Sequence, residues 1–176
     1  MNKQQVVLVN ENNKRLGIAE KMKAHQDGSL HRAFSIFVFN PKKELLIQQR
    51  AKTKYHSNEL WSNTVCSHPN PGETYPQAVH RRLKEEMGFD CRLKKLFHFI
   101  YCANFTNGLT ENEYDCVYIG KYNGQLKPDY QEIMDYKWIG LKDLKRDMVK
   151  NPEKYSAWLG IALKRINNKQ IKEILT

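Results

Sequence analysis

The 176-residue chain has no apolar run approaching the about 18 residues that a membrane-spanning helix needs. Its first residues, MNKQQVVLVNENNKRLG, contain neither a long apolar core nor a small-residue cleavage site, so a secretory signal is not expected. The four cysteines, Cys66, Cys91, Cys102 and Cys116, show no CxxC spacing, which argues for free thiols and against a disulfide framework. There is no internal repeat, no low-complexity tract, no Pro/Gly/Ser linker and no dinucleotide or flavin motif. The expectation from these absences is a cytoplasmic protein with a single domain over residues 1–176, a length ample for a packed core.

What is present is ordinary for a globular chain. Hydrophobic residues make up 40% and charged residues 27%, which excludes a disordered or fibrous chain. The formal charge is +10, an invitation to look for nucleic acid. Its distribution argues otherwise. Residues 1–60 hold 11 basic and 5 acidic side chains, residues 61–140 hold 9 and 10, and residues 141–176 hold 9 and 4. The excess lies at the two ends, with no basic stripe interleaved with aromatics, and reads as solvated surface. Neither a nucleic-acid nor a membrane partner is expected.

The apolar pattern predicts strands over 6–9, 33–39, 44–49, 61–65, 96–102, 114–122 and 136–139. Residues 40–43, Asn-Pro-Lys-Lys, form the turn between the second and third of these. A helix opens at Thr74, with Pro76 in its first turn and Gly88 at its end. Tyr75, Ala78, Val79, Leu83 and Met87 recur along it at three- and four-residue steps and mark one buried face. Two more helices are expected over 141–149 and 155–167. Strands in hairpins with few helices indicate an α/β protein of α+β arrangement, a mixed sheet sandwiched between helices.

Three segments carry residues suited to chemistry. In Asn63-Thr64-Val65-Cys66-Ser67-His68-Pro69, an extended backbone puts Cys66 and His68 on one face. The same geometry puts Glu111 and Glu113 on one side of a strand. His25 and His31 flank a short polar segment around Gly28. Imidazoles and carboxylates from these segments can complete one divalent-metal site, although each alone admits a structural explanation. His56, His80 and His98 read as structural or surface residues. On the helix over 74–87, Arg82 lies one turn from Glu86, and Arg81 one turn from Glu85. That spacing fits an exposed ion-pair pattern. It fits equally an Arg for phosphate oxygens beside a carboxylate for a hard cation such as Mg²⁺, with Lys21, Arg50 and Lys54 adding phosphate contacts.

The run Ser67…Glu73…Arg81-Arg82-Leu83-Lys84-Glu85-Glu86-Met87-Gly88-Phe89 resembles the Nudix box, G-x5-E-x7-R-E-x-x-E-E-x-G-x. It departs at Ser67, where the box has Gly, and at Arg82, where it has Glu. The second departure removes a carboxylate from the metal cluster that a Nudix hydrolase uses for pyrophosphate cleavage. A Nudix hydrolase of a nucleoside diphosphate derivative is therefore the secondary reading. The wider pattern is similar to type I isopentenyl diphosphate isomerase, a family of Nudix-like fold. It runs through Glu20-Lys21, His25, His31–Ser35, Gln49-Arg50-Ala51, Lys54, Trp61–Thr64, Cys66–Pro69, Tyr101, Glu111–Glu113 and Trp158.

The resemblance implies roles position by position. His25, His31, His68, Glu111 and Glu113 match the family's metal ligands, for Mn²⁺, Zn²⁺ or Mg²⁺. Cys66 and Glu113 match its catalytic pair. Glu86 matches the carboxylate for a substrate-bound Mg²⁺; Lys21, Arg50, Lys54 and Arg82 match diphosphate contacts; Tyr101 and Trp158 match the rings around the isoprenoid tail. No flavin is implied. The expected partner is a small isoprenoid diphosphate, and the expected state a monomer or weak dimer. The implied reaction protonates an alkene, forming a tertiary carbocation, and removes a proton elsewhere. Two proton-transfer groups from separate segments meet that need. A free thiol titrates near ~8.5, and neighbouring His residues and metal are expected to move Cys66 towards a usable range. Trp158 and Tyr101 would offer π faces to the cation.

Overall fold

The structure, a computed structural model, describes residues 4–54 and 56–175. Strands β1 (Gln5–Val9) and β2 (Arg15–Glu20) pair antiparallel, and helix α1 (Lys21–Asp27) follows directly. Next come β3 (His31–Phe39), β4 (Glu44–Arg50), and two short strands, β5 (Trp61–Ser62) and β6 (Val65–Ser67). Helix α2 (Tyr75–Met87) separates these from the long strands β7 (Leu93–Asn104), β8 (Thr110–Lys121) and β9 (Ile133–Gly140). Helices α3 (Leu141–Lys150), α4 (Ala157–Arg165) and α5 (Asn168–Leu175) close the chain, with a 3-10 turn at Pro152–Lys154.

Strand β3 is the hub of one mixed sheet. It runs parallel to β8, from His31↔Glu113 to Phe39↔Lys121, and β7 pairs antiparallel on the far side of β8. Its other edge is shared along its length by β1 at His31, β6 at Phe34–Ile36 and β4 at Phe39. Strand β4 in turn pairs with β9 and β5. A strand buried on both faces reads as a nearly continuous apolar run, and β3 (HRAFSIFVF) does so. Alternate side chains feed two cores. Phe34, Ile36 and Val38 pack with Val79, Leu83 and Met87 of α2, while Phe37 and Phe39 pack with Leu144 of α3 and Leu159 and Leu163 of α4. The sheet is thus sandwiched between helices, as the sequence suggested.

Local chemistry explains the boundaries of α2. Thr74 and Gln77 form a reciprocal capping box, Pro76 sits in the first turn, and Gly88 ends the helix at φ 71°. The predicted strand over 61–65 is split in two, because Asn63 and Thr64 satisfy neighbouring backbone with their side chains. Asn63 Nδ2 donates to Ile36 O and Val65 O, and Thr64 Oγ1 donates to Leu46 O. The helix expected over 155–167 is shorter, starting at Ala157, and a further helix, α5, follows it. Strand β2 and helix α1 were not anticipated, since RLGIAE and KMKAHQD each have too few apolar residues to show a period. Among the described residues no helix is long and apolar enough to cross a membrane.

Candidate active site

Register brings the histidines and carboxylates together. Glu113 on β8 lies between His31 on β3 and Tyr101 on β7 as their direct partner. On β6, Cys66 is the partner of Ser35, and His68 follows the strand's last residue. Helix α1 adds Lys21 and His25, one turn apart. The imidazole of His25 is 2.7 Å from Lys21 O through Nδ1, and His31 Nδ1 is 2.8 Å from Ser29 O. A carbonyl only accepts, so both Nδ1 atoms carry the proton and both Nε2 atoms present a lone pair. His31 Nε2 is buried without a hydrogen-bond partner, 3.6 Å from Glu113 Oε1. His68 Nε2 is 2.9 Å from the same oxygen. Ligand atoms of His25, His31, His68 and Glu113, all four buried, lie within 4.8 Å of one another. Neutral imidazoles with fixed tautomers and an unsatisfied buried nitrogen are a donor set that fits a divalent ion.

Glu111 is placed differently from the other four expected ligands. It groups within 4.8 Å of His25 and His56. His56, read from sequence as structural or surface, is buried here, with Nε2 3.1 Å from Glu111 Oε1. Nothing in the sequence flagged it, because a single imidazole in an irregular stretch has no periodic partner. Tyr101, expected as a wall of the tail pocket, also donates from its hydroxyl towards Glu113 Oε2 at 2.7 Å and Glu111 Oε2 at 3.0 Å. The two carboxylates are electrostatically split. Burial, then the Glu113 charge, pushes Glu111 well above the usual carboxylate range. Burial acts the same way on Glu113, but its contacts with His31 and His68 outweigh it and hold that carboxyl well below the range. Burial lowers His25 to about 4 and His68 to about 3, leaving both neutral at physiological pH.

One pocket adjoins this cluster. Cys66, His68, Tyr101, Glu111, Glu113 and Trp158 line it together with Lys21, Arg50, Lys54 and Arg82; His25 and His31 are not among its lining residues. The Cys66 thiol is 3.5 Å from Arg50 Nη1 and 3.8 Å from Ser62 Oγ. Burial raises it to about 11, and Arg50 offsets only part of that. The downward shift expected from neighbouring His residues is therefore not seen, because desolvation is the larger effect, and the thiol keeps its proton. Trp158, in the first turn of α4, serves as core anchor and pocket wall together; its Nε1 donates to Asn63 Oδ1 at 3.0 Å and its ring carries the Arg50 guanidinium at 5.3 Å.

The cations converge. Burial, then the charges of Lys54 and Arg50, lowers Lys21 to about 8. Lys54 pairs with Glu132, an acidic pocket residue not anticipated from sequence. Arg82 Nη2 is 2.6 Å from Glu86 Oε1 and 3.3 Å from Glu132 Oε1, and Nη1 is 2.8 Å from Glu85 Oε2. Glu86 is thus buried beside Arg82, outside the pocket lining, with Gln48 Nε2 3.4 Å from its second oxygen. The neighbouring Glu73 and Arg81 form a bidentate pair at 2.7 and 2.8 Å that ties the loop before α2 to the helix. A protonated thiol, an ionised carboxylate and a cluster of cations around one pocket suit proton transfer on a small anionic ligand.

Comparison with known proteins adds to this geometry. A NUDIX domain model matches residues 29–159. Isopentenyl-diphosphate Delta-isomerase 2 of Aromatoleum aromaticum is 52% identical over 164 residues, covering 92% of this chain and 86% of that protein. Isopentenyl-diphosphate Delta-isomerase 2 of Photorhabdus laumondii is 46% identical, covering 96% of this chain and 95% of that protein. Among solved structures, DR0079 from Deinococcus radiodurans superposes with a TM-score of 0.77 at 20% identity, covering 92% of this chain and 98% of that one. A MutT NUDIX hydrolase from Burkholderia pseudomallei gives 0.63 at 18% identity, covering 78% and 98%. At those identities the structural likeness speaks for the fold alone.

Proposed function

The chain belongs to the Nudix domain family and, within it, to the isopentenyl-diphosphate Delta-isomerases, and from that premise we propose that it interconverts isopentenyl and dimethylallyl diphosphate. The observation that carries the reading is the enclosure of Cys66, Glu113 and the four cations Lys21, Arg50, Lys54 and Arg82 around one pocket. An unactivated alkene is a weak base. A proton added to the terminal methylene leaves a tertiary cation. Loss of a proton from the carbon between that centre and the diphosphate-bearing carbon completes the shift of the double bond. Cys66 on β6 and Glu113 on β8 are the two proton-transfer groups, one a thiol that keeps its proton and the other a carboxylate held low. Trp158 and Tyr101 keep water from the cation and offer it their ring faces.

Lys21, Arg50, Lys54 and Arg82 bind the diphosphate, and Glu86, buried beside Arg82, is the carboxylate that would hold a Mg²⁺ accompanying it. A divalent ion held by His25, His31, His68, Glu111 and Glu113 would supply positive charge that sets how tightly Glu113 keeps a proton. Three imidazoles favour Zn²⁺ or Mn²⁺ there over Mg²⁺, which prefers oxygen ligands. The enzyme works in the cytoplasm on a small molecule, as a monomer or weak dimer, without a nucleic-acid or membrane partner; the near-even charge of residues 61–140, 9 basic and 10 acidic side chains, supports the lack of a nucleic-acid partner. The test is direct. Isopentenyl diphosphate and Mg²⁺ should yield dimethylallyl diphosphate, and release of inorganic phosphate in its place would favour a hydrolase. Cys66→Ala should slow isomerisation by about 10²–10⁴-fold with metal content unchanged. Near-normal turnover in that variant would remove Cys66 from the proton-transfer pair.

A further inference from the structure

We propose that His56 is a positioning residue of the metal site, orienting the Glu111 carboxylate from the loop between β4 and β5. The inference rests on the metal reading given above. Both oxygens of Glu111 are engaged from separate elements. His56 Nε2 is 3.1 Å from Oε1, and the Tyr101 hydroxyl of β7 is 3.0 Å from Oε2. The imidazole is fixed by stacking on Phe105, with ring centroids 4.8 Å apart and planes 13° apart, and it stacks on His25 at 5.6 Å. Its Nδ1 is 3.3 Å from Ser57 Oγ, a hydroxyl able to donate to it, and in the tautomer with the ring proton on Nε2 that proton is directed at Glu111. His25 cannot ligate two ions at once: its Nδ1 is committed to Lys21 O, and one lone pair remains. With His25 given to the ion it shares with His31, His68 and Glu113, only His56 and Glu111 of the second group remain, too few to cage another ion, and His56 is the member left to act through Glu111.

The backbone around His56 is held against its own preference. Ser57 and Glu59 adopt left-handed conformations, φ 48° and 61°, which side-chain-bearing residues keep only when their surroundings impose them. The imposing groups are on β4. Arg50 Nε donates to Ser57 O at 3.0 Å, Arg50 Nη2 to His56 O at 3.3 Å, and Gln49 Nε2 to Glu59 O at 2.8 Å. Arg50 therefore fixes the loop that carries His56 while its Nη1 reaches Cys66.

Mn²⁺ affinity of the chelator-stripped full chain, read by competition with a coloured chelator, tests this with two substitutions. His56→Phe keeps the stack and removes the donor; His56→Gln keeps an N–H near the Nε2 position and removes the ring. A positioning role through the hydrogen bond predicts about a 10–100-fold loss of affinity for Phe and recovery to within a few-fold of wild type for Gln. It also predicts that Glu111→Gln with His56→Phe binds no more weakly than Glu111→Gln alone. Should the Phe variant not fold, His56→Ala replaces it in both comparisons. Wild-type affinity in the donor-free variant overturns the inference. A Gln variant as weak as the Phe variant also overturns it, because the imidazole would then be acting as a ligand or as a packing ring. A wild-type protein that holds no ion overturns the metal site itself and this inference with it.

Discussion

Lys21 illustrates how much a single side chain's surroundings decide. Its ammonium is buried among like charges and holds its proton only to about pH 8. A diphosphate beside it would favour the charged form, so affinity is full below that value and falls as pH rises beyond it. The KM for isopentenyl diphosphate should therefore climb above pH 8 in wild type. In Lys21→Met it should be higher throughout and lack that inflection; the same inflection in the variant would assign it to another group. The lysine's role was expected from resemblance alone, since a lone Lys among 29 basic residues carries no signal of its own. The alternation rule did place Cys66 beside His68 and Glu111 beside Glu113. It could not show His56 or Glu132, whose positions depend on an irregular loop and on contacts 78 residues apart, as between Lys54 and Glu132.

Helix α2 was the element most legible in the sequence, because cap, first-turn proline, apolar period and terminal glycine all agree. Gly88 is required for two reasons. Its φ is 71°, and a Cβ there would lie 2.3 Å from Lys127 O. Gly88→Ala should cost about 3 kcal/mol, combining left-handed strain with a backbone clash, and show as a lowered denaturant midpoint with an unchanged slope. Glu73 gives the same element an acid-sensitive tie. Its hydrogen bond with Arg81 holds the carboxyl below the ordinary range of a glutamate. A lowered folded pKa adds stability above the unfolded value and loses it as pH falls through the folded one. The stability difference between wild type and Glu73→Gln should be full near neutrality and narrow below about pH 4.5; a difference that ignores pH would deny the pair that role. Helix α1 was illegible for the opposite reason. Seven residues with little apolar content are held by β2 before them and the Gly28 cap after them, not by their own propensity.

At the scale of the whole molecule, four separate elements converge on the proposed metal site, so an ion there should bind the native state and not the unfolded chain. At about 100 times its dissociation constant such an ion adds about 2.7 kcal/mol of stability. Chelation should lower the melting temperature and stop turnover, and Mn²⁺ or Zn²⁺ should restore both; a melting temperature indifferent to chelator would argue against the site. The parallel pairing of β3 with β8 sets a further condition, one of time. His31 meets Glu113, and Ser35 reaches Asp115 across 80 residues of chain. A nascent chain ending at α2 already contains the thiol and all three metal histidines, yet neither carboxylate. Closing so distant a strand pair is slow compared with forming helices or hairpins. The reactive centre is consequently among the last parts of the molecule to assemble. Until β8 slots in, an unpaired apolar edge of β3 and the free Cys66 thiol stand open together, and that interval is when this protein is most exposed to aggregation and oxidation.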